Sequence, residues 1–189
     1  LQGPVNGLSA LLKMGAFGPA VDPDRIRALV NSMLAATPRL MRTDGSFEEA
    51  LPYEQSYCVT ALVVYDHLCA VERLADQADD RAIELSVALA PAVQFLVRRD
   101  ETHGFISNHL ATAAAALLRW DRMHVDAAAR GKAEQLISRI LDRQSSEGWF
   151  DEYGGADPGY QTLCMTHLTD AAAILNSQQL WDALDRGAR

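Results

Sequence analysis

The chain has 189 residues, of which 49% are hydrophobic and 22% charged, a size that fits one domain with its own core. Its 17 lysines and arginines against 25 aspartates and glutamates give a net charge of −8, which argues against a nucleic-acid partner. The apolar runs are too short to span a membrane, and the hydrophobic fraction is too high for a disordered chain. We therefore predict a soluble globular protein. Its three cysteines lack a CxxC pair and predict no disulfide framework, and no signal peptide is visible, so cytoplasm and periplasm both remain open.

The first 22 residues are rich in glycine and proline and predict an N-terminal arm or linker, followed by one helical domain over 23–189. Asp22 and Pro23 have the residue types of an N-cap and a first helical position. Apolar residues at spacings of three and four then predict a helix that ends near Pro38.

Helical patterns continue to the end of the chain, and no segment alternates as a strand does. We predict helices over 54–74, 80–99, 107–120, 126–143, 160–175 and from 178 onward. Pro91 lies inside the second of these and predicts a kink or a break there. The sequence therefore predicts an all-α fold.

A glycine turn with an aromatic neighbour recurs at Gly45, Gly104 and Gly148, each time between a more charged helix and a more apolar one. The spacings of 59 and 44 residues indicate a helical-hairpin repeat. A helix without a polar face must be buried on several sides, so we place the apolar helices inside and the charged ones outside. The pattern favours a partial α/α toroid of about three hairpins, with a plain up-down bundle as the alternative.

Polar and aromatic residues cluster where the three inner helices begin, and in a toroid these starts share one rim around a cleft. Aromatic faces and carboxamides suit a sugar ring. The predicted binding residues are Tyr53, Glu54, Gln55, Tyr57, Trp149, Glu152, Tyr153, Asp157 and Gln161. Ser107 and Asp157 also fit a simpler interpretation as helix N-caps.

Three segments carry a family resemblance: GFISNHL at 104–110, EGWFDEYGGADPGY at 147–160 and DGSFEEA at 44–50. They resemble the helical domain of heparinase II/III-type polysaccharide lyases, and the likeness covers most of the chain from residue 23. The resemblance implies an incomplete α/α toroid, an acidic polysaccharide as partner, and β-elimination at a uronic acid. We predict no metal and no cofactor.

The same resemblance implies roles for three catalytic residues. Asn108 would neutralise the uronate carboxylate, His109 would act as base or second neutraliser, and Tyr160 would transfer the proton. Glu152 and Gln161 would position the substrate. Family members continue through further hairpins into a β-sandwich that adds to the site, so we expect a further C-terminal domain or a second subunit to complete it.

Other interpretations stay open at this point. Glu54, Asp151, Glu152 and Asp157 offer the paired carboxylates of an α/α-barrel glycoside hydrolase, and a non-catalytic saccharide-binding or scaffold domain fits as well. Cys164 and His167 share a helix face and suit either a zinc site or a packed core, with the core favoured. The acidic run at 76–80 resembles a metal-diphosphate motif of terpene cyclases, although a solvated loop explains it better.

Overall fold

The computed structural model describes residues 3–76 and 80–189. Within these residues the fold is all-α, as predicted, with nine α-helices, one short 3-10 helix and no strand. The helices are α1 (Gly3–Met14), α2 (Pro23–Ala36), the 3-10 helix (Thr37–Leu40), α3 (Tyr57–Ala75), α4 (Asp80–Val87), α5 (Ala90–Arg98), α6 (Ser107–His124), α7 (Ala127–Leu141), α8 (Pro158–Leu175) and α9 (Gln178–Gly187).

Polar side chains fix most helix starts, because the first amides of a helix have no carbonyl partner within it. Asp22, Ser56, Asp126, Asp157 and Ser177 each accept an amide hydrogen bond from the first turn of the helix that follows. These residue types are recognisable in the sequence, which explains why the predicted and observed helix starts agree within a few residues.

The predicted break at Pro91 is confirmed. Helix α4 ends at Val87, and Pro91 lies in the first turn of the separate helix α5. Proline lacks the amide hydrogen that a helix interior needs, but a first turn tolerates it.

Helix α6 lies at the centre of the fold, with α3 on one side and α8 on another. Helices α4 and α5 pack on α3, α7 packs on α6, and α9 packs on α8, so each central helix has an outer partner. The alanines of α6 are fully buried and allow its neighbours to approach closely. Helices α3 and α6 each bury twelve residues, whereas α8 buries five, so the inner role of α8 and closure into a toroid stay predictions.

Part of the predicted N-terminal arm belongs to the packed body. Helix α1 packs against α2 and α3, and it buries Val5 and Leu12. The Asn6 side chain also donates to Asp66 of α3 at 2.7 Å.

Two of the three glycine turns have the same conformation. Gly45 and Gly148 have φ values of 93° and 97°, and a β-carbon on either would overlap the backbone carbonyl of Pro91 or Arg186 in the following outer helix. Only glycine meets both requirements. These turns therefore bring the loops before α3 and α8 against α5 and α9.

A charged cluster joins the inner helices near their C-terminal ends; we refer to it as the far-end cluster. Arg119 of α6 forms ion pairs with Glu72 of α3 and Asp170 of α8, and the Tyr65 hydroxyl donates to Asp170. The Arg119 side chain is 13% exposed, so its charge is largely withdrawn from water. Its two ion pairs join α6 to α3 and to α8.

Candidate functional site

The N-terminal ends of α3, α6 and α8 meet at one rim, here called the inner-helix rim and comprising residues 56–58, 107–109 and 151–160. Ile106 and Glu152 form an isolated β-bridge, and the Ser107 hydroxyl donates to the Asp151 carbonyl at 2.7 Å. These bonds attach the loop before α8 to the start of α6. The predicted convergence of the inner-helix starts is thus present for these segments.

A buried carboxylate, Glu101, organises the middle turn. Its oxygens accept hydrogen bonds from the backbone amides of Thr102 and His103, from His103 Nδ1 at 2.9 Å and from His109 Nδ1 at 2.7 Å. Burial alone acts to raise the pKa of Glu101, but the hydrogen bonds from the two histidines outweigh it and lower the pKa to about 2. Glu101 is therefore an anion at neutral pH.

His109, in the first turn of α6, lies between Glu101 and Cys58. Burial acts to lower its pKa, but hydrogen bonds to the Cys58 side chain and to Glu101 raise the pKa to about 9. The imidazole is therefore a cation at pH 7, and 17% of the side chain remains exposed. Cys58 is the second residue of α3 and is half-buried.

Asn108 holds the loop before α8 in place. Its backbone amide and its Nδ2 donate to the two carboxylate oxygens of Glu152, each at 2.8 Å. Burial raises the pKa of Glu152, although the Asn108 hydrogen bonds act to lower it. Asn108 is only 2% exposed, so its side chain serves Glu152 and does not present itself to a ligand.

Two exposed tyrosines complete the inner-helix rim. Tyr153 is 63% exposed and Tyr160 is 44% exposed. Partial burial raises the pKa of Tyr153, and the nearby Tyr160 and Glu101 act in the same direction. The amide of Tyr153 donates to the Phe105 carbonyl, which fixes this residue at a positive φ of 58°.

The predicted residues of the loop before α3 mainly stabilise that loop. Glu54 accepts the amides of Ala50 and Leu51, and the Gln55 amide group donates to Asp44. Tyr53 is exposed, with the Arg42 guanidinium 5.9 Å from its ring centroid.

Several other predicted binding residues stabilise the fold through packing and internal hydrogen bonds. Tyr57 is buried beside Phe95, and Gln161 accepts the Phe150 amide and donates to the Gly187 carbonyl. The Trp149 indole is partly buried and donates to Glu147. These side chains are engaged by the protein itself.

The N-cap interpretation holds for Asp157 and is wrong for Ser107. Asp157 accepts the Tyr160 amide at 2.9 Å, with Pro158 at the first helical position. Ile106 occupies the N-cap position of α6, and the Ser107 hydroxyl turns instead to Asp151. The Ser107 hydroxyl therefore bonds to the loop before α8 instead of capping its own helix.

Cys164 and His167 belong to the core. Cys164 is fully buried, while His167 Nδ1 bonds Thr112 Oγ1 at 3.1 Å and its ring packs edge-on against Tyr65. The acidic run at 76–80 falls largely on residues 77–79, which lie outside the described residues.

Sequence reasoning missed Glu101 and Cys58. Glu101 has a weak signal, since it lies two residues before His103 in the segment that leads into the Gly104 turn. Nothing in the sequence connects Cys58 with His109, because the two residues belong to different repeats and meet only when α3 packs on α6.

In the described ranges 3–76 and 80–189, no helix is both long and apolar enough to cross a membrane, and no three potential metal ligands come together. Comparison of the chain with protein families, with curated proteins and with solved structures found no match.

Proposed function

We propose that the inner-helix rim binds an acidic, uronate-containing saccharide and supports β-elimination, as a polysaccharide-lyase-like domain. The supporting observation is a partly exposed His109 cation on the same rim as Tyr153 and Tyr160. An imidazolium pairs with a carboxylate, and tyrosine rings offer apolar faces with a hydroxyl at the edge.

His109 acts as the neutraliser in this proposal. A pKa of about 9 leaves the ring protonated at neutral pH, so it has no free lone pair with which to act as base. Its Nδ1 stays with Glu101, and the uronate carboxylate replaces the Cys58 thiol as the second partner of the ring. Neutralising the carboxylate acidifies the carbon-bound proton next to it.

Tyr160 is the proposed proton-transfer residue. Its exposed side chain lies on the first turn of α8, where a bound sugar can reach it. The reaction removes the proton next to the carboxylate, forms a carbon-carbon double bond and breaks the bond to the glycosidic oxygen, which takes up a proton.

Asn108 acts indirectly. Its two bonds to Glu152 fix the loop that carries Tyr153, so we assign it a positioning role in place of the direct neutralising role that the resemblance implies. The paired-carboxylate alternative has less support, because the Glu152 carboxylate is engaged by Asn108 and Asp157 caps α8.

Incubation with alginate, heparan sulfate and other uronate polymers tests the proposal through the ultraviolet absorbance of the unsaturated product. We expect product with at least one polymer and its loss in Tyr160→Phe. Tyr65→Phe is the control, because it removes a tyrosine hydroxyl from the far-end cluster. A flat trace with every polymer, together with saccharide binding by calorimetry, would replace the lyase with the non-catalytic binding domain.

A further inference from the structure

A groove of about 560 Å³ lies between the Gly45 turn and helix α5; we call it the α5 groove, and residues 43–44 and 90–99 supply its walls. Two arginines, Arg98 and Arg99, line it at the C-terminal end of α5. We propose that the α5 groove binds an organic anion whose oxyanion group, a carboxylate or a phosphate, pairs with these two guanidinium groups. This site goes beyond the proposed function and does not depend on it.

Arg98 and Arg99 have no acidic partner in the part of the chain that the structure describes. Neither guanidinium forms an ion pair or a hydrogen bond there, and both residues are exposed. The next residue, Asp100, pairs instead with two cations of α7, with Arg139 at 2.6 Å and with Lys132 at 3.8 Å. In a chain with a net charge of −8, two adjacent cations without a counter-ion are available to an anion from outside.

One carboxylate, Asp44, also lines the α5 groove, but its own turn engages it. Asp44 Oδ1 accepts the Ser46 amide at 3.0 Å and the Ser46 hydroxyl at 2.7 Å, while Oδ2 accepts a hydrogen bond from Gln55 Nε2. Both oxygens are therefore occupied. Two cations against one engaged carboxylate leave the α5 groove with a positive charge.

The α5 groove combines these cations with apolar surface. Pro91 and Phe95 line it at a spacing of four residues, and Gln94 and Arg98 follow at the same spacing, so all four lie along one face of α5. With a rise of about 1.5 Å per residue, Pro91 lies about 10 Å along the helix from Arg98. The groove therefore suits an elongated molecule with an anionic end and an apolar end, and its volume is that of a small-molecule site.

The cavity beside the far-end cluster provides a comparison. Its volume is similar, about 540 Å³, and cations line it as well. There, however, Lys13 pairs with Asp76, and both Arg119 and Arg122 pair with Glu72. The cations of that cavity are engaged within the fold, whereas the two arginines of the α5 groove keep their guanidinium groups free for bidentate pairing with a carboxylate or a phosphate.

The test follows the arginine Nε–H resonances of the 15N-labelled whole chain by NMR at pH 7 and constant ionic strength. The probes are phenyl phosphate, benzoate and inorganic phosphate. We expect the aryl anions to shift the Arg98 and Arg99 resonances until they saturate. Phenyl phosphate should bind at least ~3-fold more tightly than inorganic phosphate, because its ring covers apolar surface of the groove. Tighter binding of phenyl phosphate than of benzoate assigns a phosphate ligand, and the reverse order assigns a carboxylate.

A pair of variants locates the site and also assigns the resonances that each variant lacks. Arg98→Gln should weaken the binding of phenyl phosphate at least ~10-fold, because a charge-assisted pair is lost. Arg25→Gln is the matched control, since Arg25 is an exposed arginine of α2 that has no ion pair among the described residues and does not line the groove. It changes the net charge equally, and we expect its affinity to stay within about twofold of the unmodified chain. Circular dichroism shows whether each variant is folded.

Three results would overturn the proposal. Shifts that grow linearly with probe concentration at Arg25 and Arg98 alike would show ionic screening in place of a site. Equal affinities of folded Arg98→Gln and the unmodified chain would remove the arginines from the site. Binding of inorganic phosphate as tight as that of phenyl phosphate would contradict an organic ligand.

Discussion

Two charged clusters join the same three inner helices at opposite ends, and they differ in what surrounds the cation. In the far-end cluster, the Arg119 side chain is 13% exposed and is paired with both Glu72 and Asp170. At the inner-helix rim, the His109 side chain is similarly buried, at 17% exposed, but it lies near the half-buried Cys58 and two exposed tyrosines. Charged groups that satisfy one another hold helices together, whereas a charged group with an accessible neighbour can act on a ligand.

The largest expected effect concerns the far-end cluster. Arg119→Met leaves Glu72 and Asp170 without their shared cation, and we expect the free energy of unfolding to fall by about 3 kcal/mol. Urea denaturation measures it. The control is Arg122→Met, since Arg122 is 52% exposed and pairs with Glu72 alone, so its loss should cost under about 1 kcal/mol. Equal losses in the two variants would contradict the assignment of Arg119 as the central cation.

The second prediction tests how strongly the fold depends on the glycine turns that precede the inner helices. Gly148→Ala combines a positive φ with an overlap on the Arg186 carbonyl, and we expect a loss of about 2 to 3 kcal/mol. Gly104→Ala meets no such overlap, so only the backbone strain remains, about 1 kcal/mol. Denaturation curves of both variants measure the difference. The reverse order of stability would show that the turns do not depend on close packing against the outer helices.

The pH dependence of stability tests the pair of Glu101 and His109 at the inner-helix rim. The pKa of His109 is raised from 6.5 to about 9, so its contribution is complete below pH 6.5 and is lost as pH rises through 9. The pKa of Glu101 is lowered from 4.5 to about 2, so its contribution is complete above pH 4.5 and is lost as pH falls through 2. Both are therefore fully present between pH 4.5 and 6.5.

Glu101→Gln should remove this contribution. We expect the Tm difference between the unmodified chain and the variant to be a few degrees between pH 4.5 and 6.5 and to shrink on either side. The buried His67, whose pKa burial lowers to about 4, cancels in this difference because both proteins contain it. A Tm difference that stays constant with pH would disagree with the Glu101–His109 pairing.

The smallest expected effect comes from a comparison of the same substitution, tyrosine to phenylalanine, at the two ends of the inner helices. Tyr65→Phe removes the hydroxyl that donates to the charged Asp170, a loss of about 1.5 kcal/mol. Tyr160→Phe removes an exposed hydroxyl and should change the free energy of unfolding by less than about 0.5 kcal/mol. Thermal denaturation compares them. A larger stability loss in Tyr160→Phe would assign that hydroxyl to the fold.

Much of the fold could be predicted because its signals are local. Asp22, Ser56 and Asp157 cap helices within three residues of their own positions, and Pro91 breaks a helix where it stands. The candidate site was harder to predict from the sequence. Tyr153, Tyr160 and His109 do share a rim, whereas Tyr57 and Gln161 turned out to be engaged in packing and turn bonds.

The sequence by itself determined the helices, their caps and the repeated glycine turns, because each depends on backbone preferences and hydrogen bonds within a few residues. Only the tertiary structure decided that Glu101, His109 and Cys58 come together, and that Asn108 serves Glu152. Those contacts exist because α3, α6 and α8 pack side by side. The pKa shifts of the rim need burial together with partners far apart in the chain, and packing supplies both.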